Sequence, residues 1–150
     1  MHITIHAERP DTADALALIA ELEAELAPLY PPESQHGYSV EKLIAQGVAF
    51  FVARVNGEPA GCGGIQLYPS YGELKRMYVR PAFRGMGLAQ RLIDQLSAYA
   101  VARQCHVLRL ETGILQQAAI RCYEKAGFYR IGPFGEYPDD PLSLFYERRL

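Results

Sequence analysis

Residues 73–91 read ELKRMYVRPAFRGMGLAQR: a strand, a turn with two glycines, and the opening of a long helix. Leu74, Met77, Tyr78 and Val79 bring the bulky or β-branched side chains that fit a pleated surface. Pro81 ends the pairing, since it has no N–H and also restricts the residue before it. Gly85 and Gly87 allow a tight turn and a close backbone approach to a ligand. From there Leu88, Leu92, Ile93, Leu96 and Ala100 recur at helical spacing. A helix entered through glycine-rich backbone presents unpaired N–H groups and the positive end of its dipole, which suits a phosphate.

Within the strand the apolar pattern breaks phase. Leu74 and Met77 are three apart, whereas one face of a strand repeats every two residues. A β-bulge between them restores the phase and frees N–H and C=O groups for a ligand. Alternatively, Leu74 faces a second apolar layer. Parity alone leaves both readings open.

Upstream of this stretch, Val48 to Val55 (VAFFVARV) and Pro59 to Tyr68 read as strands joined by Asn56-Gly57, a type I′ hairpin signal. Gly61, Gly63 and Gly64 in the second strand imply a bend or a close neighbour. The turn PSYG, residues 69–72, leads into the central strand. Nearer the start, HITIH (residues 2–6) alternates as a first strand, its two histidines on the solvated face. Asp11 or Thr12 caps a helix whose stripe is Leu16, Ile19, Ala20, Leu22 and Leu26. The prolines of PLYPPESQHGY (residues 28–38) stop it, and a short helix from Ser39 to Ala45 follows with Val40, Leu43 and Ile44 inward. Downstream come a strand at His106–Glu111, a helix in AAIRCYEKAGF (residues 118–128), and strands at Phe128–Ile131 and Ser143–Arg148. The loop GPFGEYPDDP (residues 132–141) is long enough to suggest function. This order predicts an α/β protein with helices flanking a mixed, mostly antiparallel central sheet, in a single domain over residues 1–150.

Fifteen basic residues against seventeen acidic ones leave no basic face for nucleic acid. No apolar run reaches membrane-spanning length, and no signal-peptide pattern opens the chain. Cys62, Cys105 and Cys122 lack metal-ligand spacing and read as reduced thiols of a cytoplasmic protein without a metal. The GMG turn is no dinucleotide or P-loop signature, since GxGxxG is incomplete and the lysine is missing.

The turn and helix resemble the acyl-CoA-binding motif of the GNAT N-acetyltransferase superfamily, Arg/Gln-x-x-Gly-x-Gly/Ala, filled here by Arg84, Gly87 and Ala89. The segment AAIRCYEKAGF is similar to the family's second motif, Ala-Ile-x-x-Tyr-x-x-x-Gly-Phe. Both occur in the family's order, with a strand between them. The resemblance implies acyl transfer from acetyl-CoA to an amine, without a metal. Backbone N–H groups of Arg84, Gly85, Met86, Gly87, Leu88 and Ala89 would hold the pyrophosphate, with Arg84 adding charge. Met77, Tyr78 and Val79 would pair with the pantetheine arm as an added strand does. The Met77 N–H, four residues after Glu73, would polarise the thioester carbonyl. Tyr123 would be the general acid to the departing thiolate. Glu73 matches a position where some members carry the base, with Glu111 the competing carboxylate. Where the family often has an asparagine on the pantetheine arm, this chain has Gln116.

The acceptor would lie between the first-helix connection and the loop before the last strand. Tyr30, Glu33, Ser34, His36, Glu136 and Tyr137 are the polar or aromatic candidates there. A small-molecule amine or amino acid is the leading acceptor. A protein or peptide amine is the alternative, and a non-catalytic acyl-CoA-binding regulatory module the third reading. No nucleic-acid or membrane partner is expected, and a homodimer is compatible with the sequence.

Overall fold

Asn56 and Gly57 adopt φ 51° and 83°, the left-handed pair a type I′ hairpin requires, and join β2 (Ala49–Val55) to β3 (Glu58–Leu67) as the sequence predicts. The computed structural model describes residues 1–150. β1 (Ile3–Ala7) borders β2, and β4 (Gly72–Val79) borders β3, all antiparallel. β5 (Val107–Gly113) follows β4 in parallel, and β7 (Ser143–Arg149) lies between β5 and β6 (Tyr129–Ile131). The sheet order is β1-β2-β3-β4-β5-β7-β6. This is the mixed, mostly antiparallel sheet expected.

Two apolar layers cover the sheet. On one face α3 (Leu88–Ala102) buries Leu88, Leu92, Ile93, Leu96 and Ala100, the stripe its spacing predicts. Complete burial of a leucine or isoleucine contributes about 1.5–3 kcal/mol, so this stripe is a principal anchor of the fold. α4 (Gln117–Lys125) adds Tyr123 to the same layer. On the other face, α1 (Ala13–Leu26) and α2 (Val40–Ala45) cover β2 and β3. Thr12 caps α1 by accepting from the Ala15 N–H, and Ser39 caps α2 by accepting from Lys42. The buried stripe of α1 is Ala15, Leu18, Ile19 and Leu22; Leu16 and Ala20, expected inward, face solvent. Ile44 is likewise exposed, because α2 is too short to turn more than Leu43 and part of Val40 onto the core. No helix is long and apolar enough to cross a membrane.

The parity break in β4 is a bulge. Gly64 pairs with Lys75, but Cys62 pairs with Tyr78, so β4 holds one residue more than β3 over this span. Arg76 takes it up at φ 55°, and its carbonyl accepts from Cys62 Sγ at 3.4 Å. Leu74 and Met77 thereby reach the same α3-facing layer, while Tyr78 turns to α1. Gly63 is where the bulge crowds β3: a Cβ there would lie 2.4 Å from Met77 Sδ. On its other edge β4 meets β5 only at Gly72–Leu108 and Glu73–Arg109. Beyond Glu73 the two strands part, and the sheet opens.

Candidate active site

One wall of the opening ends at the glycine turn. Gly85 and Gly87 hold φ 84° and 83°, with nothing within 4 Å of where a Cβ would stand. The N–H groups from Gly85 through Gln90 donate to no backbone carbonyl. Leu88 is buried and Met86 packs against its small cluster, so this turn presents main chain rather than side chains outward. With fifteen residues of helix behind it, the turn is a ready anion site. Arg84 lies beside it, its Nε donating to the Val79 carbonyl and its Nη2 2.9 Å from Glu25 of α1. It is exposed and can exchange that partner for a phosphate at small cost.

Where β4 and β5 part lies a cavity of about 480 Å³, lined among others by Met77, Leu110, Glu111, Gln116 and Tyr123. The unpaired edge of β4 after Glu73 can accept an extended chain as a sheet accepts a strand. Tyr123 is buried, edge-on to Phe128 at 5.7 Å, and lines the cavity with no hydrogen-bond partner for its hydroxyl within the chain. Burial, with smaller contributions from Cys122 and Glu111, pushes its phenol above the ordinary tyrosine range. It is therefore a protonated donor throughout the neutral range. The Gln116 side-chain oxygen accepts from the Gly113 N–H at 2.9 Å and the Thr112 hydroxyl at 3.3 Å, leaving its amide N–H groups without a partner in the chain.

The two candidate bases differ in surroundings. Glu73 is buried, and one carboxylate oxygen accepts from both Lys75 Nζ at 2.8 Å and the Tyr137 hydroxyl. Lys75 is itself buried, its ammonium 3.8 Å from the centre of the Tyr38 ring. Glu73 does not line the cavity; Glu111 does. Burial pushes the Glu111 carboxyl above the ordinary glutamate value.

Of the residues expected to meet the acceptor, the structure brings together Tyr30, Ser34, His36 and Tyr137 around the cavity, and leaves Glu33 and Glu136 exposed outside it. The Tyr30 hydroxyl accepts from the Leu115 N–H at 3.0 Å, and its ring lies where a Cβ on Gly113 would be. Tyr30 thus ties the first-helix connection to the end of β5. His36 stands edge-on to Tyr137 at 5.6 Å, with Nε2 3.5 Å from Asp140. The long loop before β7 therefore does contribute, through Tyr137 and Asp140. Sequence reasoning passed over Lys75, Arg76 and Tyr38, which also line the cavity. A signal existed for the first: Glu73 and Lys75 flank Leu74, placing two charges on one face of a central strand.

The acetyltransferase (GNAT) family profile matches residues 17–128. The chain is 42% identical over 151 residues to an IAA acetyltransferase of Azospirillum brasilense, covering 99% of each. It is 32% identical to the N-acetyltransferase YsnE of Bacillus subtilis (strain 168), over 90% of this chain and 91% of that one. A Klebsiella pneumoniae crystal structure of the acyl-CoA N-acyltransferase type superposes with TM-score 0.83 at 39% identity, covering 99% of this chain and 97% of the other. The PaiA N-acetyltransferase of Thermoplasma acidophilum, solved with coenzyme A, shares the fold at TM-score 0.78 and 18% identity, covering the whole of both chains. Kinship along the full chain and a common fold converge on one assignment: this protein belongs to the GNAT family of acetyltransferases and is an enzyme of that family.

Proposed function

We propose that the chain works as a single domain transferring an acetyl group from acetyl-CoA to the primary amine of a small molecule or amino acid by direct attack. One observation carries this reading: a cavity in the split between β4 and β5, lined by Tyr123 and Glu111, on the same split edge of β4 that runs down to a turn of free amides. The residues present fit the cofactor. The amides from Gly85 to Gln90 suit a pyrophosphate, Arg84 adds charge, and the free β4 edge from Met77 to Val79 suits an amide-bearing arm.

Acetyl-CoA, when bound, supplies an activated thioester; the rest of the chemistry falls to the chain. The Met77 N–H donates to the thioester carbonyl as charge gathers on its oxygen. Glu111, lifted by burial and open to the cavity, takes the proton from the incoming ammonium, directly or through water. Glu73 holds Lys75 and Tyr137 in place and lies outside the cavity lining, which leaves the role of base to Glu111. As the amine nitrogen bonds the carbonyl carbon and the C–S bond breaks, Tyr123 would give its proton to the departing sulfur and recover one from the nitrogen, which sheds its second proton on becoming an amide. The acceptor sits among His36, Tyr38 and Tyr137, under Tyr30.

Thiol release from acetyl-CoA tests the reading with a panel of tyramine, spermidine, L-lysine, L-methionine and an unblocked hexapeptide. Turnover with one of the small amines is expected. Turnover confined to the peptide would move the assignment to protein amines. Calorimetry showing no association with acetyl-CoA would remove the cofactor site.

A further inference from the structure

Arg76 is one of three non-glycine residues at positive φ, and the other two, Asn56 and Gln104, lie in turns. Only Arg76 adopts this conformation inside a strand, where it forms the bulge. Its side chain turns away from the sheet and is nearly sealed, 7% exposed. Nε donates to the Tyr38 carbonyl at 2.9 Å, and Nη2 pairs with Glu23 of α1 at 2.5 Å. The guanidinium lies so close under Gly37 that a Cβ there would stand 2.3 Å from Nη1. Gly37, Tyr38 and Arg76 all line the cavity, and the Tyr38 ring receives the Lys75 ammonium.

One residue thus fastens three parts together. Its main chain makes the irregularity that offers the Met77 amide. Its side chain holds the 37–38 segment, one wall of the acceptor space, and braces both against α1. We propose that Arg76 is a positioning residue for the acceptor: a clasp fixing the 37–38 wall at a set distance from the bulge, with Gly37 the socket that admits it. It touches no reacting atom. The inference rests on the reading of this cavity as the acceptor site, and it assigns amine recognition, not cofactor binding, to the clasp.

Two variants address the contact from opposite sides. Arg76→Gly keeps a residue at ease with positive φ and removes the guanidinium; Gly37→Ala leaves Arg76 in place and blocks the socket. For both, the KM of the best amine in the panel is expected to rise about tenfold, while the KM for acetyl-CoA stays within about twofold of wild type. Because both remove one contact, the double variant should show little more than either single one. Proteolytic nicking of the 35–39 segment should quicken in Arg76→Gly, a readout independent of any amine. Unchanged nicking there would overturn the clasp whether or not the protein turns over. Unchanged amine KM in folded variants of an active protein would overturn its role in recognition alone. A wild type inert toward every amine would instead sink the transferase reading of the cavity.

Discussion

Replacing Tyr123 with phenylalanine removes a single oxygen, and the structure separates what that oxygen does for folding from what it does for catalysis. The ring is packed in the α3-side layer and edge-on to Phe128, contacts that phenylalanine keeps. The hydroxyl bonds to nothing in the chain, so its loss strands no buried partner, and stability should change by no more than about 0.5 kcal/mol. Loss of a general acid lowers turnover by roughly 10² or more, and at about 1.4 kcal/mol per decade this is near 3 kcal/mol of barrier. The kinetic effect should therefore exceed the folding effect at least about sixfold, on these magnitudes. Proton donation to the sulfur matters only as the thiolate departs, so acetyl-CoA affinity should hold while kcat falls. Thiol release under saturating acetyl-CoA gives kcat, calorimetry gives the affinity, and a melting curve gives the stability. With the phenol held above the ordinary tyrosine range, the pH profile of the variant should keep its wild-type shape below pH 10.0, only lower. A kcat within about twofold of wild type would refute the acid role. A large drop in melting temperature would show that the hydroxyl has a structural partner after all.

Gly87→Glu should abolish acetyl-CoA binding in calorimetry, because a carboxylate at the helix entrance faces the pyrophosphate; Gly87→Ala, with open space around its Cβ, should lose only about 1 kcal/mol to the left-handed φ. Glu73→Gln leaves the buried Lys75 charge uncompensated and should cost about 3 kcal/mol, read as a melting temperature lower by roughly 10 °C, with kcat of the folded protein largely kept. Adding Lys75→Met should restore most of that loss, and failure to do so would argue against a structural pair. For Glu111 the folded carboxyl holds its proton more tightly than the unfolded one, whose value is near 4.5. Its contribution to stability is present below 4.5 and is lost as pH rises through the folded value. Glu111→Gln should therefore gain stability relative to wild type as pH climbs from that point, while losing the rise in kcat/KM that accompanies ionisation of the base. A variant whose melting temperature tracks wild type across this window would contradict the shift.

The elements were legible where local chemistry decides them. Asn56-Gly57 fixes its hairpin, the Leu88–Ala100 stripe its helix, and Thr12 and Ser39 their caps, because each depends on neighbours a few residues away. The buried side of α1 was misjudged at Leu16 and Ala20, since an alanine- and leucine-rich helix is apolar on several faces and only the sheet selects one. The glycine turn was readable because main-chain conformation leaves a mark in composition. The acceptor wall was readable only in outline. That Tyr137 meets Glu73 across 64 positions, or that Arg76 reaches Tyr38 across 38, follows from the folding of loops over a bulge, which no spacing in the chain encodes. Glu136 shows the same limit: adjacent to Tyr137 in sequence, it points the other way.

A bulge of this kind is ordinarily served by glycine, which adopts positive φ without penalty, whereas a side chain there costs on the order of 1–2 kcal/mol. Arginine at position 76 accepts that cost and offsets it with a carbonyl bond, an ion pair and the packing of its guanidinium under Gly37. What glycine cannot do is hold the opposite wall. The same irregularity shifts the phase of β4, opens its far edge beyond Glu73, and ties the 37–38 segment to that edge. On the function proposed above, a binding surface for one reactant and a wall for the other are thereby set by a single residue's φ and a single side chain. Distance between them is then a property of the bulge, and a strand of regular pairing would have neither the gap nor the means to fix its width.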